Sequence, residues 1–295
     1  MKTSTSARKS LMKTVFATAL ILGGGTIAFQ GITQVAAGTE YNKTNVIPTS
    51  YANNADQYSQ TVQNSLPEGY KKANYTVSTI DLEYYKKQTP TSKDMSKEEA
   101  AEIGAQALWS VYGISLDGQV IEMGYDTANE SLPRSSWYGD VIINGELSYY
   151  FSVDSVTGEL FSIGRSRTLK ENVSVAFDAS LDKNPQEYID LATETAETLN
   201  IVHGPVAAVE YNGQGYSNND PSISLDIKGE NGEIALVTFS RYDKALMGIS
   251  YHVSYKYTLE EIERIEQELQ QMSIPSGDES KEPTLMLFSS NDMDN

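Results

Sequence analysis

Hydrophobic positions along this chain recur with two periods, and the switches between them mark its elements. From Tyr75 the residues Thr76-Val77-Ser78-Thr79-Ile80-Asp81-Leu82-Glu83 alternate as in a strand with one buried face, and Pro90 ends the stretch that follows. After Ser96 the spacing lengthens. Ala100, Ile103, Ala107, Leu108 and Val111 lie on one helical stripe, Ser96 and Glu99 form a capping box at its start, and Gly113 is placed to end it. This predicts a helix over Ser96 to Tyr112. Val120 to Tyr125 and Ser136 to Ile142 read as strands. The sharpest alternation comes next, with Leu147, Tyr149, Phe151 and Val153 against Ser148, Tyr150, Ser152 and Asp154. It runs into a polar turn in which Asp154 can bond the backbone through its carboxylate and Gly158 can take a positive φ, before a second strand from Leu160 to Ile163.

The same order of elements then recurs. Asn184 is placed to cap a helix with Pro185 at its first position and Glu187 at its third, and Ile189, Ala192, Ala196 and Leu199 supply the apolar stripe. Val206 to Tyr211, Ile223 to Ile227 and Ile234 to Phe239 follow as strands. Asn184 lies 88 residues after Ser96, and Glu210 lies 88 after Glu122, which predicts a structural repeat. The stretch Arg241 to Leu246 lacks the Thr-Gly of the first turn. Tyr251-His252-Val253 reads as strand. Thr258 and Glu261 offer a further capping box for a helix carrying Leu259, Ile262, Ile265, Leu269 and Met272, which Pro275 stops. That stripe either packs on the neighbouring sheet or serves a partner.

The hairpin resembles the signature of the PepSY family, in which a tyrosine-containing strand runs into Val-Asp-x-x-Thr-Gly-Glu and a second strand. Here those positions are Val153, Asp154, Thr157, Gly158 and Glu159, and the resemblance covers about residues 94 to 165. It implies an α+β fold of tandem PepSY-like units, each one helix packed on a small antiparallel sheet. The units are expected over 73–170 and, in divergent form, over 171–274. The resemblance also implies a non-catalytic envelope module that regulates or inhibits an extracytoplasmic peptidase or binds another protein partner.

Targeting signals point the same way. Lys2, Arg8, Lys9 and Lys13 precede Thr14 to Ala37, a run of 24 residues without a charged side chain. Val35-Ala36-Ala37 offers a cleavage site, so residues 1–37 are either a signal peptide or a retained membrane anchor, and both place the rest outside the cell membrane. Residues 38–72, poor in large apolar side chains, read as a linker, and 275–295 as an acidic, disordered tail. Removing the leader takes away four basic and no acidic side chains, which leaves 18 Lys and Arg against 40 Asp and Glu, a net charge of −22. Such a surface repels phosphates and argues against a nucleic-acid partner. The absence of cysteine excludes disulfides, thiolate zinc sites and thiol nucleophiles.

Candidate chemistry is sparse. With two histidines, His203 and His252, no three-histidine metal site can form, and they are too far apart in sequence for a metalloprotease helix. No serine stands in a Gly-x-Ser-x-Gly elbow and no Gly-rich phosphate loop is present, so no catalytic residue, metal site or cofactor is assigned. Asp154 and Glu159 can be drawn around Ca²⁺, but turn capping explains Asp154 without a metal. Nineteen tyrosines against seven phenylalanines favour rings at a wet surface. Tyr149 and Tyr150 must face opposite sides of their strand. Tyr150, joined by Trp137 and Tyr138, is the candidate partner-binding groove, with ordinary sheet packing as the alternative, while Asp154, Thr157 and Gly158 form the structural turn. The competing function is a cell-wall or glycan-binding surface protein using exposed aromatics. A secreted hydrolase built on a carboxylate pair is the remaining class.

Overall fold

The computed structural model describes residues 66–145 and 147–271. The leader over 1–37, the linker up to residue 65 and the tail over 275–295 lie outside the described residues. Strand β1 (Thr76–Thr79) is followed by a short helix α1 (Glu83–Lys86), helix α2 (Lys97–Tyr112), and strands β2 (Val120–Asp126), β3 (Ser136–Ile143), β4 (Leu147–Asp154) and β5 (Leu160–Arg167). Helices α3 (Ala179–Lys183) and α4 (Gln186–Thr198) lead into strands β6 (Val206–Ser217), β7 (Asp220–Gly229), β8 (Ile234–Ser240) and β9 (Leu246–Ser250), and helix α5 (His252–Gln271) follows.

Among the described residues all nine strands belong to one sheet, in the order β1-β2-β3-β4-β5-β9-β8-β7-β6, and of these only β1 and β2 pair in parallel, as the crossover through α2 requires. The expectation of tandem units, each with its own small sheet, is therefore overturned. The last strands of the two meanders join edge to edge, with Ser162 beside Ser250, Ile163 beside Ile249 and Gly164 beside Gly248. An open edge leaves backbone N–H and C=O groups without partners, and here two such edges satisfy each other. Alternation in a sequence fixes which face of a strand is apolar; it carries no record of which edges mate.

One core fills one face of this sheet. Phe151, Ile163, Ile249, Val237 and Leu225 are level across successive strands and fully or nearly fully buried, with α2 over the first half and α4 over the second. Helix α2 begins at the expected capping box, where Ser96 accepts from the Glu99 N–H, and ends at Gly113 with φ 65°. All its buried residues except Leu108, namely Ala100, Ala101, Gly104, Ala105 and Ala107, are small, so the helix axis settles close to the strands. Phe151 fills the remaining space between Gly104 of the helix and Gly139 of β3; a Cβ on either glycine would fall well under 3.0 Å from the ring. Residues leading into β1 also dock on α2, with the Tyr70 and Tyr75 hydroxyls donating to Glu102 at 2.8 and 2.5 Å.

The opposite face is covered only at its flanks. Tyr85 of α1 lies over Gly124 of β2, and α5 packs against β5 and β8, with the Tyr255 hydroxyl donating to Asp226 at 2.6 Å. Two helix starts differ from the expected ones. Asn184 closes α3 instead of opening α4, which starts from Pro185 without a side-chain cap. Helix α5 begins at His252, so Tyr251-His252-Val253 is not a strand and Thr258 lies inside the helix. Its start is set by tertiary contacts: the Tyr251 N–H donates to the Phe161 carbonyl at 2.9 Å and the Ser254 hydroxyl to the same oxygen at 2.7 Å. Among the described residues no helix is long and apolar enough to cross a membrane.

Candidate functional site

The Asp154 to Glu159 turn is a closed hydrogen-bonded knot. Asp154 is 2% exposed, and its Oδ1 accepts from the N–H groups of Val156 and Thr157 at 2.8 and 2.7 Å. Its Oδ2 meets Arg134 Nε at 2.6 Å, and the same guanidinium holds Glu159 at 2.6 Å. Arg134 thus supplies the positive charge that a calcium ion would otherwise bring to these two carboxylates. Gly158 takes φ 78°, and Thr157 donates its hydroxyl to Glu159 at 2.9 Å. Beneath the turn, Asp94 accepts from Ser135, Ser155, Thr91 and Tyr125. Burial alone would push the Asp94 carboxyl up, but these bonds, from Ser155 and Thr91 foremost, hold it down at about 2.

The turn at Ser240 to Ala245, which lacks Thr-Gly, takes the same backbone path 86 residues later. Lys244 N–H bonds Ser240 O at 3.0 Å as Gly158 N–H bonds Asp154 O at 3.0 Å, and Lys244 adopts φ 60° where Gly158 sits. A lysine at positive φ gives no sign of itself in the sequence.

The charged side chains of both turns are taken up in ion pairs and hydrogen bonds, whereas the uncovered part of the sheet carries polar groups around an open pocket. One row of registered residues crosses it between α1 and α5. Glu122 of β2 stands beside Asp140 of β3, Asp140 beside Tyr150 of β4, and Tyr150 beside Gly164 of β5. The row continues through Gly248 of β9 and Thr238 of β8 to Ser224 of β7, whose hydroxyl bonds Thr238 at 2.9 Å. The two glycines are required by the tyrosine. Its ring lies across the seam, so that a Cβ on Gly164 would overlap the phenol and one on Gly248 would come within 3.3 Å of its oxygen. Above the row is a pocket of about 230 Å³, with Tyr138, Asp140, Ser148 and Tyr150 on one side and Ser166, Ser217, Ser222 and Thr238 on the other.

Burial pushes the Tyr150 hydroxyl up to about 12, so it stays a protonated donor. Burial, then the nearby Asp140 carboxylate, raises Tyr138 as well. Ser148 donates to Asp140 Oδ1. The Tyr150 hydroxyl has no hydrogen-bond partner among the described residues. The arrangement can offer donors from tyrosine, serine and threonine, acceptance by Asp140, and two ring faces; Arg165 and Asp220 also line it, bonded to the Leu246 carbonyl and to Arg167 and Ser240 respectively.

Of the residues singled out in the sequence, Tyr150 and Tyr138 meet in this pocket and Trp137 does not. Trp137 is 7% exposed on the core face, donates its indole N–H to the Met95 carbonyl at 3.0 Å and packs edge-on against Tyr125. Adjacent residues of a strand face opposite ways, so Trp137 and Tyr138 could not share a groove. Tyr149 is 5% exposed beneath α2. Asp140 and Ser148 were overlooked, although their alternation with Val141 and Tyr149 already put them on the face of Tyr138 and Tyr150.

Both histidines lie elsewhere. His203, at φ 49°, pairs with Glu233 at 2.7 Å, and His252 Nδ1 accepts from the Ile234 N–H at 3.1 Å. Among the described residues no cluster of His, Asp and Glu has metal-binding geometry. Comparison of the chain with protein-family models, with characterised proteins and with solved structures gives no match in any of the three.

Proposed function

We propose that this chain is a non-catalytic extracytoplasmic binding module that captures a protein partner, an envelope peptidase foremost, on the uncovered face of its sheet. The observation that carries this reading is the Tyr150 hydroxyl, held in a hydroxyl-lined pocket as a donor with no acceptor of its own among the described residues. The hydroxyl opens onto the pocket, so an acceptor on a bound ligand can take its hydrogen bond without displacing an internal partner. The likeness of the Val153 to Glu159 hairpin to PepSY proteins supports an envelope peptidase as the partner, and the basic start followed by an uncharged run supports export. A pocket offering hydroxyls, two rings, the Asp140 carboxylate and an Asp220 carboxylate already held by Arg167 and Ser240, with both histidines elsewhere, favours recognition over hydrolysis.

The test is capture from an envelope extract by the full chain and by Tyr150→Ala, with circular dichroism confirming that both are folded. A protein retained by the wild type and lost from the folded variant is the expected result. Equal capture by both overturns the reading, and retention of wall glycan in place of protein replaces it with a glycan-binding surface.

A further inference from the structure

Beside the pocket, the same face carries features that Tyr150 does not explain. Glu122 and Asp140 are direct cross-strand neighbours, a like-charge pairing that sheets avoid, and neither has a Lys or Arg partner among the described residues. One same-face step further along β2 and β3 stand Val120 and Ile142, 48% and 57% exposed. The buried apolar side chains of these two strands, Ile121, Met123, Tyr125, Trp137 and Val141, belong to the core face, so Val120 and Ile142 form an adjacent apolar pair on the uncovered face. Along β3 the face therefore reads Tyr138, Asp140, Ile142: ring, acid, aliphatic, each about 6.8 Å from the next.

We infer that this face binds an extended segment of a partner protein with a Lys or Arg and, two residues on, a large aliphatic side chain. An extended chain repeats its same-side residues at the same spacing as the strand beneath it, so basic and aliphatic positions fall together on the Glu122–Asp140 and Val120–Ile142 pairs. The cation relieves the repulsion between the two carboxylates and draws the segment toward a strongly acidic surface. The aliphatic group covers the exposed Val120 and Ile142, and the basic stem can lie over the Tyr138 ring. A segment so placed passes beside the pocket, where one of its backbone carbonyls can accept from Tyr150.

This assignment rests on the proposed binding function and deepens it, and its test separates the two. A displayed library of random nine-residue peptides is selected on the full chain, and the enriched sequences are compared with those selected on folded Asp140→Asn/Ile142→Ser. The wild type should enrich basic-x-aliphatic sequences and the double variant should not. A selected peptide should bind Asp140→Asn about fivefold more weakly, the upper range for one exposed ion pair, and weaken further as salt rises. No enrichment, enrichment without a basic residue, a different spacing, or the same sequences from both proteins each overturns the assignment. If Tyr150→Ala loses the envelope partner while Asp140→Asn/Ile142→Ser keeps it, the binding module stands and the basic-x-aliphatic assignment falls alone.

Discussion

Replacing Gly104 with Ala should reverse its effect on stability according to what occupies position 151. In an exposed helix interior the change from Gly to Ala is worth about 1 kcal/mol of stabilisation. At Gly104 the added methyl would fall well under 3.0 Å from three carbons of the Phe151 ring, and restoring contact near 3.5 Å requires a retreat of about an ångström. The ring has nowhere to go, because Phe151 is fully buried and its other side abuts Gly139. Overpacking of this kind costs about 1–3 kcal/mol, so Gly104→Ala should be neutral to about 2 kcal/mol destabilising once the helix gain is counted. Phe151→Ala alone should cost about 3–5 kcal/mol. In that background the methyl enters a cavity, and Gly104→Ala should stabilise by about 1 kcal/mol or more. Urea unfolding of the four proteins gives the cycle, with an expected coupling of about 1–3 kcal/mol. A Gly104→Ala effect of the same size and sign in both backgrounds would refute the close approach of α2 to β4, and with it the reason Tyr150, the next residue, is held so firmly on the other face.

Two further outcomes follow from the first hairpin and its surroundings. Gly158→Val should destabilise by about 1–3 kcal/mol in urea, since a β-branched residue resists φ 78° and its Cβ would stand 3.1 Å from Ile103; an unchanged midpoint would show that the turn does not need that conformation. The Asp94 carboxyl, held at about 2 in the fold, lies below its unfolded value, so its stabilisation is complete above about pH 4 and is lost as pH falls toward 2. Urea midpoints should therefore drop across that window and drop less in Asp94→Asn, whereas a flat wild-type profile from pH 4 to 2 would contradict the hydrogen-bond set drawn around Asp94.

Legibility in the sequence differed with the range of the interaction. The capping box of Ser96 and Glu99, the stop at Gly113 and the faces of Tyr149 and Tyr150 depend on residues within a few positions of one another, and local pattern was enough to find them. The seam between β5 and β9 depends on backbone edges almost 90 residues apart, to which side-chain periodicity is indifferent. Helix α5 starts early because the Phe161 carbonyl, remote in sequence, anchors Tyr251 and Ser254, so tertiary contact overrode a run of β-favouring residues. At the site, grouping Trp137 with Tyr138 followed residue type and ignored the period of two. Applied strictly, that period picks out Tyr138, Asp140 and Ile142 together.

The seam has a consequence for how the chain reaches this structure. Among the described residues every strand pair except β5 with β9 joins strands consecutive in the chain, whereas β5 and β9 meet only after the long intervening segment has been drawn closed. Local hairpins form in microseconds and distant pairings wait on loop closure, so the seam is a late event in folding. During that interval the Ile163 and Ile249 edges are bare, and the edge offered by a neighbouring molecule is chemically identical to the chain's own. Closure within one chain is a first-order process and exchange between two chains is second-order. Concentration at the moment of folding, rather than any contact in the finished sheet, is therefore what would set the competition between closure and exchange.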